Sequence, residues 1–299
     1  MITKKEYDTI TAGCLKDSEL ANALSKLRTD SLDELSVISH ETKNYAAYLK
    51  TTYQFLSRKN DTLKDNKFWN NMGDTINELV EYMNRTSLYR YSFKDSEITS
   101  CKVSDIKDRI YAYIGKRYND SIVLNTSYVN VSDDSSFLIS SYMLTYGINE
   151  IIDNAYEGAV DTADIINAKA DNNNDNGSVS CQSIRLELSI QADNNRIILS
   201  ISNKTANMPD ENMLCTADNY NNHSDNSNTA GISVDNNIGR IYHYDMNRLC
   251  TPFFTTKEKH TGLGLSIVSQ MCLLSDTSLD MIYDSNTGIT TASIAFKTT

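Results

Sequence analysis

Between residues 32 and 90, apolar side chains and threonines recur at alternating steps of three and four. The first run is Leu35, Ile38, Thr42, Tyr45, Leu49, Thr52 and Leu56, and the second is Trp69, Met72, Ile76, Leu79 and Met83. Such steps put side chains along one side of an α-helix as a heptad seam. The polar stretch SRKNDTLKDN, residues 57–66, suits a turn between them, so the pattern predicts an αα-hairpin. Two helices cannot bury both stripes against each other alone, and a second copy of the hairpin would close a four-helix bundle.

After Tyr91 the period changes, which sets a boundary near residues 90–95. Residues 98–103 read as a strand, 105–114 as a helix, 122–131 as a strand and 141–159 as a long helix. Ile184, Leu186, Leu188 and Ile190 alternate with polar residues, ADNN turns, and Ile197, Leu199 and Ile201 alternate again, which predicts a β-hairpin. A last strand pair is expected over 278–284 and 289–296. DNNNDNG at 171–177 reads as a solvated loop, and the Asn, Asp and Ser-rich segment 204–250 as a long mobile one. The sum is an α+β chain: a leader (1–25), a helical hairpin (26–92), and a domain (93–299) with helices on one face of a mixed sheet.

Composition narrows the partners. Hydrophobic residues make up 40% of the 299 and charged residues 22%, a globular balance. A net charge of −11 excludes the basic stripe that a nucleic-acid backbone requires. No apolar run approaches the roughly 20 residues of a membrane span, and residues 1–20 lack a signal-peptide core, so a cytoplasmic protein is expected. Cys14, Cys101, Cys181, Cys215, Cys250 and Cys272 are scattered without CxxC spacing, which points to reduced thiols.

Two segments carry candidate chemistry. In PFFTTKEKHTGLGLSIV, residues 252–268, a loop with Lys257 leads to Gly262 and Gly264 and then to an apolar helix. Glycines let a polyanion approach the backbone, and N–H groups at a helix start point toward it. Leu263, Ile267, Val268, Met271 and Leu274 form one stripe of that helix. In NEIIDNAYEGAV, Glu150, Asn154 and Glu157 share a helix face. An asparagine oxygen is a hard donor suited to Mg²⁺, and a carboxylate one turn earlier can orient a water or a proton near a terminal phosphate.

The order of ExxxN helix, strand hairpin, long loop and TPFFTTKEKHTGLGLSIV resembles the ATP-binding catalytic domain of the GHKL superfamily, and within it the sensor histidine kinases, over about residues 95–299. The resemblance implies an α/β sandwich of the Bergerat type that binds ATP and Mg²⁺. Asn154 matches the Mg²⁺ ligand. Glu150 matches a position that is usually Asn in the kinases and resembles the gyrase branch. Phe253 and Phe254 match lid aromatics, with the lid at about 204–260. Lys257, Thr261, Gly262, Leu263, Gly264 and Leu265 fall in the phosphate-contacting segment, with His260 where a further glycine is common. The family's DxGxG box, whose Asp meets the adenine amino group, has two candidates: Asn203, at the end of ILSISN, and Asp235, in VDNNIG. Topology favours Asn203, whose carbonyl accepts as a carboxylate does but without its charge.

SHETKN, residues 39–44, resembles the SHExKNPL signature of the dimerisation and phosphotransfer hairpin, with Tyr45 in place of the proline. With Ile38 and Thr42 in the seam, His40 points outward and Asn44 lies one turn along the same side. The resemblance implies that His40 accepts the γ-phosphoryl group of ATP and that Glu41 accepts the ring proton. It further implies that Asn44 orients a water for dephosphorylating a partner's phospho-aspartate. The function expected is a homodimeric histidine kinase core that phosphorylates His40 and passes the group to a response-regulator receiver domain. Two rivals stand beside it. One is a degenerate pseudokinase that binds receiver domains or other kinases; the other is a superfamily ATPase or serine-kinase regulator in which His40 is incidental.

Overall fold

Asp17 begins the first long helix by accepting from the Glu19 and Leu20 N–H groups at 3.0 and 3.1 Å, which satisfies donors that have no partner within a helix. This helix, α1, runs Ser18–Lys59 and so starts inside the stretch read as a leader. After a single 3₁₀ turn at Asp61–Leu63, Asn66 caps α2, Lys67–Tyr91, through the Phe68 and Trp69 N–H groups. The computed structural model describes residues 9–10, 12–14, 16–93, 96–171, 184–205, 209–210, 213–215, 241–256 and 261–299. The chain divides into two units, Met1–Lys94 with Thr255–Leu263, and Asp95–Phe254 with Gly264–Thr299.

Within the hairpin, Trp69 and Ile76 of α2 lie in the seam as the sequence pattern predicts, while over residues 42–57 of α1 the seam lies one residue round from it. Ala46 on α1 and Gly73, Ile76 and Ser87 on α2 are buried, with Tyr53, Ser57 and Trp69 half-buried beside them. Tyr45, Leu49 and Leu56 stay 72%, 48% and 40% exposed, and Met72 and Leu79 are exposed as well. Small residues decide this. A methyl on Gly73 would come within 2.3 Å of the Tyr53 hydroxyl. Glycine therefore lets Tyr53 stack on Trp69 at 4.8 Å, while the indole N–H donates to Ser57 Oγ at 2.8 Å.

The second unit is built of β1 (Ile98–Lys102), α3 (Val103–Tyr118), β2 (Ile122–Val129), β3 (Ser136–Ser140), α4 (Ile148–Asp171), β4 (Ile184–Asp193), β5 (Arg196–Lys204), β6 (Ile241–His243), α5 (Met246–Leu249), α6 (Gly264–Leu274), β7 (Ser278–Asp284) and β8 (Ile289–Lys297). Its main sheet has the order β2-β4-β5-β8-β7-β6, parallel only between β2 and β4, and β1 and β3 form a small antiparallel pair. The α+β architecture is the one the sequence pattern predicts.

Period-2 alternation explains the faces. Leu186, Leu188, Ile190, Ile197, Leu199, Ile201, Ile294 and Phe296 point inward and are buried, as are Ile151 and Ile152 of α4 and Ile267 and Val268 of α6. The outer face carries Ser200 and Ser293, and Ser202 and Thr291, whose hydroxyls meet across β5 and β8 at 2.8 Å.

Three features depart from the expectations. Strand β3 was not anticipated: its five residues are too short a pattern and gain strand character by pairing with β1, far away in sequence. Strand β6 and the short α5 lie within the segment expected to be a mobile loop, and β6 is a strand because it hydrogen-bonds to β7. Helix α4 follows a π turn at Met143–Gly147 and continues to Asp171. A methyl on Gly147 would sit 2.4 Å from Met143 Sδ and 3.2 Å from Met271 Sδ, so this glycine lets the start of α4 approach α6.

Candidate functional site

Helix α4 turns Ile148, Ile151, Ile152 and Ala155 into the core and leaves its polar positions on the remaining arc. Glu150 and Asp153 are buried, and Asn154 and Glu157 half-buried. Glu150 and Asn154 are thus one turn apart, about 6 Å along the axis. What fixes this rotation is Asp153, which the sequence reading passed over. Its Oδ1 accepts from the Tyr113 and Tyr118 hydroxyls of α3 at 2.7 and 2.5 Å, and the Tyr118 ring packs on Tyr156 at 4.1 Å. Burial first, and the Asp153 carboxylate second, push both phenols well above the ordinary tyrosine range.

A second polar group gathers where β5 ends and β8 begins. Asn203 is 7% exposed and lies in register with Thr290 across the two strands. Its Nδ2 donates to the Lys204 carbonyl at 3.2 Å. Thr290 Oγ1 is 2.8 Å from Thr205 Oγ1 and 3.4 Å from the Tyr244 hydroxyl. From above, α4 meets Asn203 at Gly158, where an added methyl would lie 3.0 Å from Nδ2. Gly158, one turn beyond Asn154, therefore joins Asn203 to the Glu150 and Asn154 face within one unit.

Neither Thr290 nor Gly158 was singled out from the sequence, although both left signals. Thr290 breaks the inward alternation continued by Ala292, Ile294 and Phe296, and Gly158 interrupts a helix.

The TPFF segment forms a tight turn in which the Phe254 N–H donates to the Thr251 carbonyl at 3.1 Å. Pro252 suits the second position. Phe253 occupies the third with φ of +65°, a left-handed conformation that favours glycine or asparagine. The residue is 56% exposed and so recovers little by packing, while Arg248 lies 5.3 Å over the neighbouring Phe254 ring. Phe253→Asn is expected to stabilise the second unit by about 0.5–1 kcal/mol in urea unfolding, because the left-handed strain of roughly 1–2 kcal/mol is relieved. Further along, Thr261 is half-buried, Gly262 has φ of +65°, Leu263 is buried, and Gly264 and Leu265 open α6.

In the hairpin unit, His40, Glu41 and Asn44 are all exposed. The Asn44 amide meets His40 Nδ1 at 3.3 Å, with Nδ2 as the facing atom. The contact bears on which ring nitrogen carries the proton and which presents a lone pair. A half-turn of the amide would let Oδ1 accept from Nδ1–H and leave Nε2 nucleophilic.

Lys257, Asp235 and His260 lie outside the described residues. His243 pairs with Asp280 at 3.3 Å on the sheet edge. Among the described residues no cluster of three or more His, Cys, Asp or Glu could hold a metal. The hard oxygens of Glu150 and Asn154 suit Mg²⁺, an ion that takes one or two protein oxygens and completes its shell with phosphate and water. Burial pushes the Cys250 and Cys272 thiols up to about 12, which makes them poor nucleophiles. No helix among the described residues is long and apolar enough to cross a membrane.

No protein-family model matches the sequence, and no curated protein matches it. Among solved structures, full-length ShkA in complex with AMPPNP aligns over 89% of this chain and 46% of its own, at 11% identity and a TM-score of 0.57. The histidine kinase AdeS of Acinetobacter baumannii aligns over 77% of this chain and 82% of its own, at 12% identity and 0.43. A nucleotide-free form of the catalytic domain of the histidine kinase ThkA aligns over 67% and 95%, at 13% and 0.42. This chain spans less than half of ShkA. At such identity the shared property is the architecture: the chain has the fold of a histidine kinase.

Proposed function

We propose that this chain is a histidine kinase core: the second unit binds Mg-ATP, and His40 accepts the γ-phosphoryl group and hands it to an aspartate of a response regulator. The observation that carries this reading is an exposed His40 in contact with Asn44, in a chain with a histidine kinase's fold. When bound, Mg²⁺ would be held by Asn154 and would neutralise charge on the phosphates. With the Asn44 amide turned so that its Oδ1 accepts from Nδ1–H, a His40 Nε2 lone pair attacks the γ-phosphorus, the bond to the bridging oxygen breaks, and ADP leaves with that electron pair. Glu41, the next residue, accepts the proton released from the ring. Asn203 supplies an oxygen for the adenine amino group, beside Thr290. Asn44 orients water for phosphatase action on the regulator. The exposed stripe of Tyr45, Leu49, Leu56, Met72 and Leu79 is apolar surface that a homodimeric four-helix bundle would cover.

A second reading, a nucleotide-poor scaffold that binds receiver domains or other kinases, draws on Asn203, whose amide lacks the charge of a carboxylate. Incubation with γ-labelled Mg-ATP separates the two. The kinase core should take up an acid-labile, base-stable phosphate, whereas absence of label together with no ATP or ADP binding at millimolar concentration would overturn the kinase reading.

A further inference from the structure

We infer that the base end of this nucleotide site reads purines through an amide that can turn over, so that it takes guanine nucleotides as well as adenine nucleotides. The inference rests on the proposed nucleotide site in the second unit and concerns its base selectivity.

Asn203 is almost fully buried, and one Nδ2 hydrogen is spent on the Lys204 carbonyl at 3.2 Å. The second Nδ2 hydrogen and Oδ1 together make a donor and acceptor pair. In this orientation Oδ1 can accept from the amino group at C6 of adenine while Nδ2 donates to N1. Turned over, the same amide donates from Nδ2 to O6 of guanine and accepts from N1–H at Oδ1. A carboxylate at this position only accepts, so it would hold the adenine amino group and repel guanine O6 in the same place.

Two features of the surroundings permit the turn. Gly158 faces the amide, and a methyl there would press on Nδ2 at 3.0 Å and reach Oδ1 only at 4.0 Å. Glycine leaves the clearance that any other residue would remove. The neighbouring groups are hydroxyls: Thr290 Oγ1, with Thr205 Oγ1 at 2.8 Å and the Tyr244 hydroxyl at 3.4 Å. Each hydroxyl both donates and accepts, and its hydrogen rotates, so these groups are compatible with either end of the amide. What still favours adenine is the Lys204 carbonyl, which the amide nitrogen donates to in the adenine orientation and the amide oxygen would face in the turned one.

The test is calorimetric binding of Mg-ADP and Mg-GDP to the whole chain. The wild type should bind both, with ADP ahead by less than about a hundred-fold, the combined effect of one lost hydrogen bond and one oxygen–oxygen contact. Asn203→Asp should widen that ratio to about a hundred-fold or more by weakening GDP, and Gly158→Ala should widen it in the same direction by gripping the amide. Circular dichroism checks that each variant folds, and either variant alone suffices if the other does not. A wild-type preference for ADP above a hundred-fold, or a ratio unmoved in the folded variants, overturns the inference while leaving the nucleotide site standing. Absence of binding by both nucleotides overturns the site and the inference together.

Discussion

Replacing His40 by glutamine is expected to remove the acid-labile label entirely while leaving nucleotide binding unchanged. The amide nitrogen of glutamine has its lone pair delocalised into the carbonyl and is no nucleophile, whereas a neutral imidazole keeps one free. Because His40 is exposed on the middle of α1, the substitution should alter stability by no more than about 0.5 kcal/mol. Any loss of label is then a loss of chemistry rather than of fold. Gel autoradiography after incubation with γ-labelled ATP, paired with calorimetry of ADP, reads both arms. Label persisting in the variant would assign the acceptor to another residue. Loss of ADP binding would mean that His40 supports the nucleotide unit in a way the kinase reading does not contain.

Asp153→Ala should have the largest effect on stability, a loss of about 2–4 kcal/mol from the second unit. One carboxylate oxygen accepts from two tyrosine hydroxyls. Hydrogen bonds to a charged group contribute roughly 1.5–3 kcal/mol each, and two that share an acceptor fall short of additive. Removing the acceptor leaves Tyr113 and Tyr118 as half-buried donors and frees α4 to rotate against α3, so nucleotide affinity should fall with stability. Asp153→Asn, which keeps one acceptor oxygen, should recover part of both. Urea unfolding followed by far-UV circular dichroism measures the first, and ADP titration the second. An unchanged midpoint in Asp153→Ala would mean that the apolar contacts of α4 alone set its rotation.

The same cluster imposes an alkaline limit. Burial and then Asp153 raise both tyrosines, so each binds its proton more tightly in the folded state than in the unfolded one. Their contribution is therefore complete below the ordinary tyrosine value of about 10 and is lost as pH rises past it. Unfolding that begins near pH 10 together with tyrosinate absorbance is the expected result. An alkaline unfolding curve left unmoved when Tyr113 and Tyr118 are both replaced by Phe would contradict it.

How much of the molecule could be read beforehand depended on the range of the interaction that made each part. The strands β4, β5, β7 and β8 were legible because a sheet with one buried face imposes a period of two on any residue in it. The two helices of the hairpin were legible for the same local reason. Trp69 and Ile76 sit where the pattern puts them, but on the first helix the contact was misplaced by one residue, because Ala46 and Gly73 set the closest approach and small residues are silent in a search for apolar side chains. The site divides likewise. Glu150 and Asn154 stand out as polar positions on an otherwise apolar helix. Asp153 looks like one more acidic surface residue until α3 folds over it and brings two tyrosines, one of them 40 positions away, to the same oxygen.

The sequence by itself determined the class of the fold, the amphipathic faces of its helices and strands, and the residue types that make phosphoryl transfer to His40 chemically reasonable. These follow from local periodicity and from side-chain chemistry, which need no knowledge of distant neighbours. Only the tertiary structure decided that Asn203 faces Thr290 across two strands and Gly158 beneath a helix, since strand register and helix packing join positions about 45 to 90 residues apart. It alone decided that β6 is a strand and that Phe253 carries a strained turn. Non-local pairing creates those features, and nothing in the flanking residues encodes them.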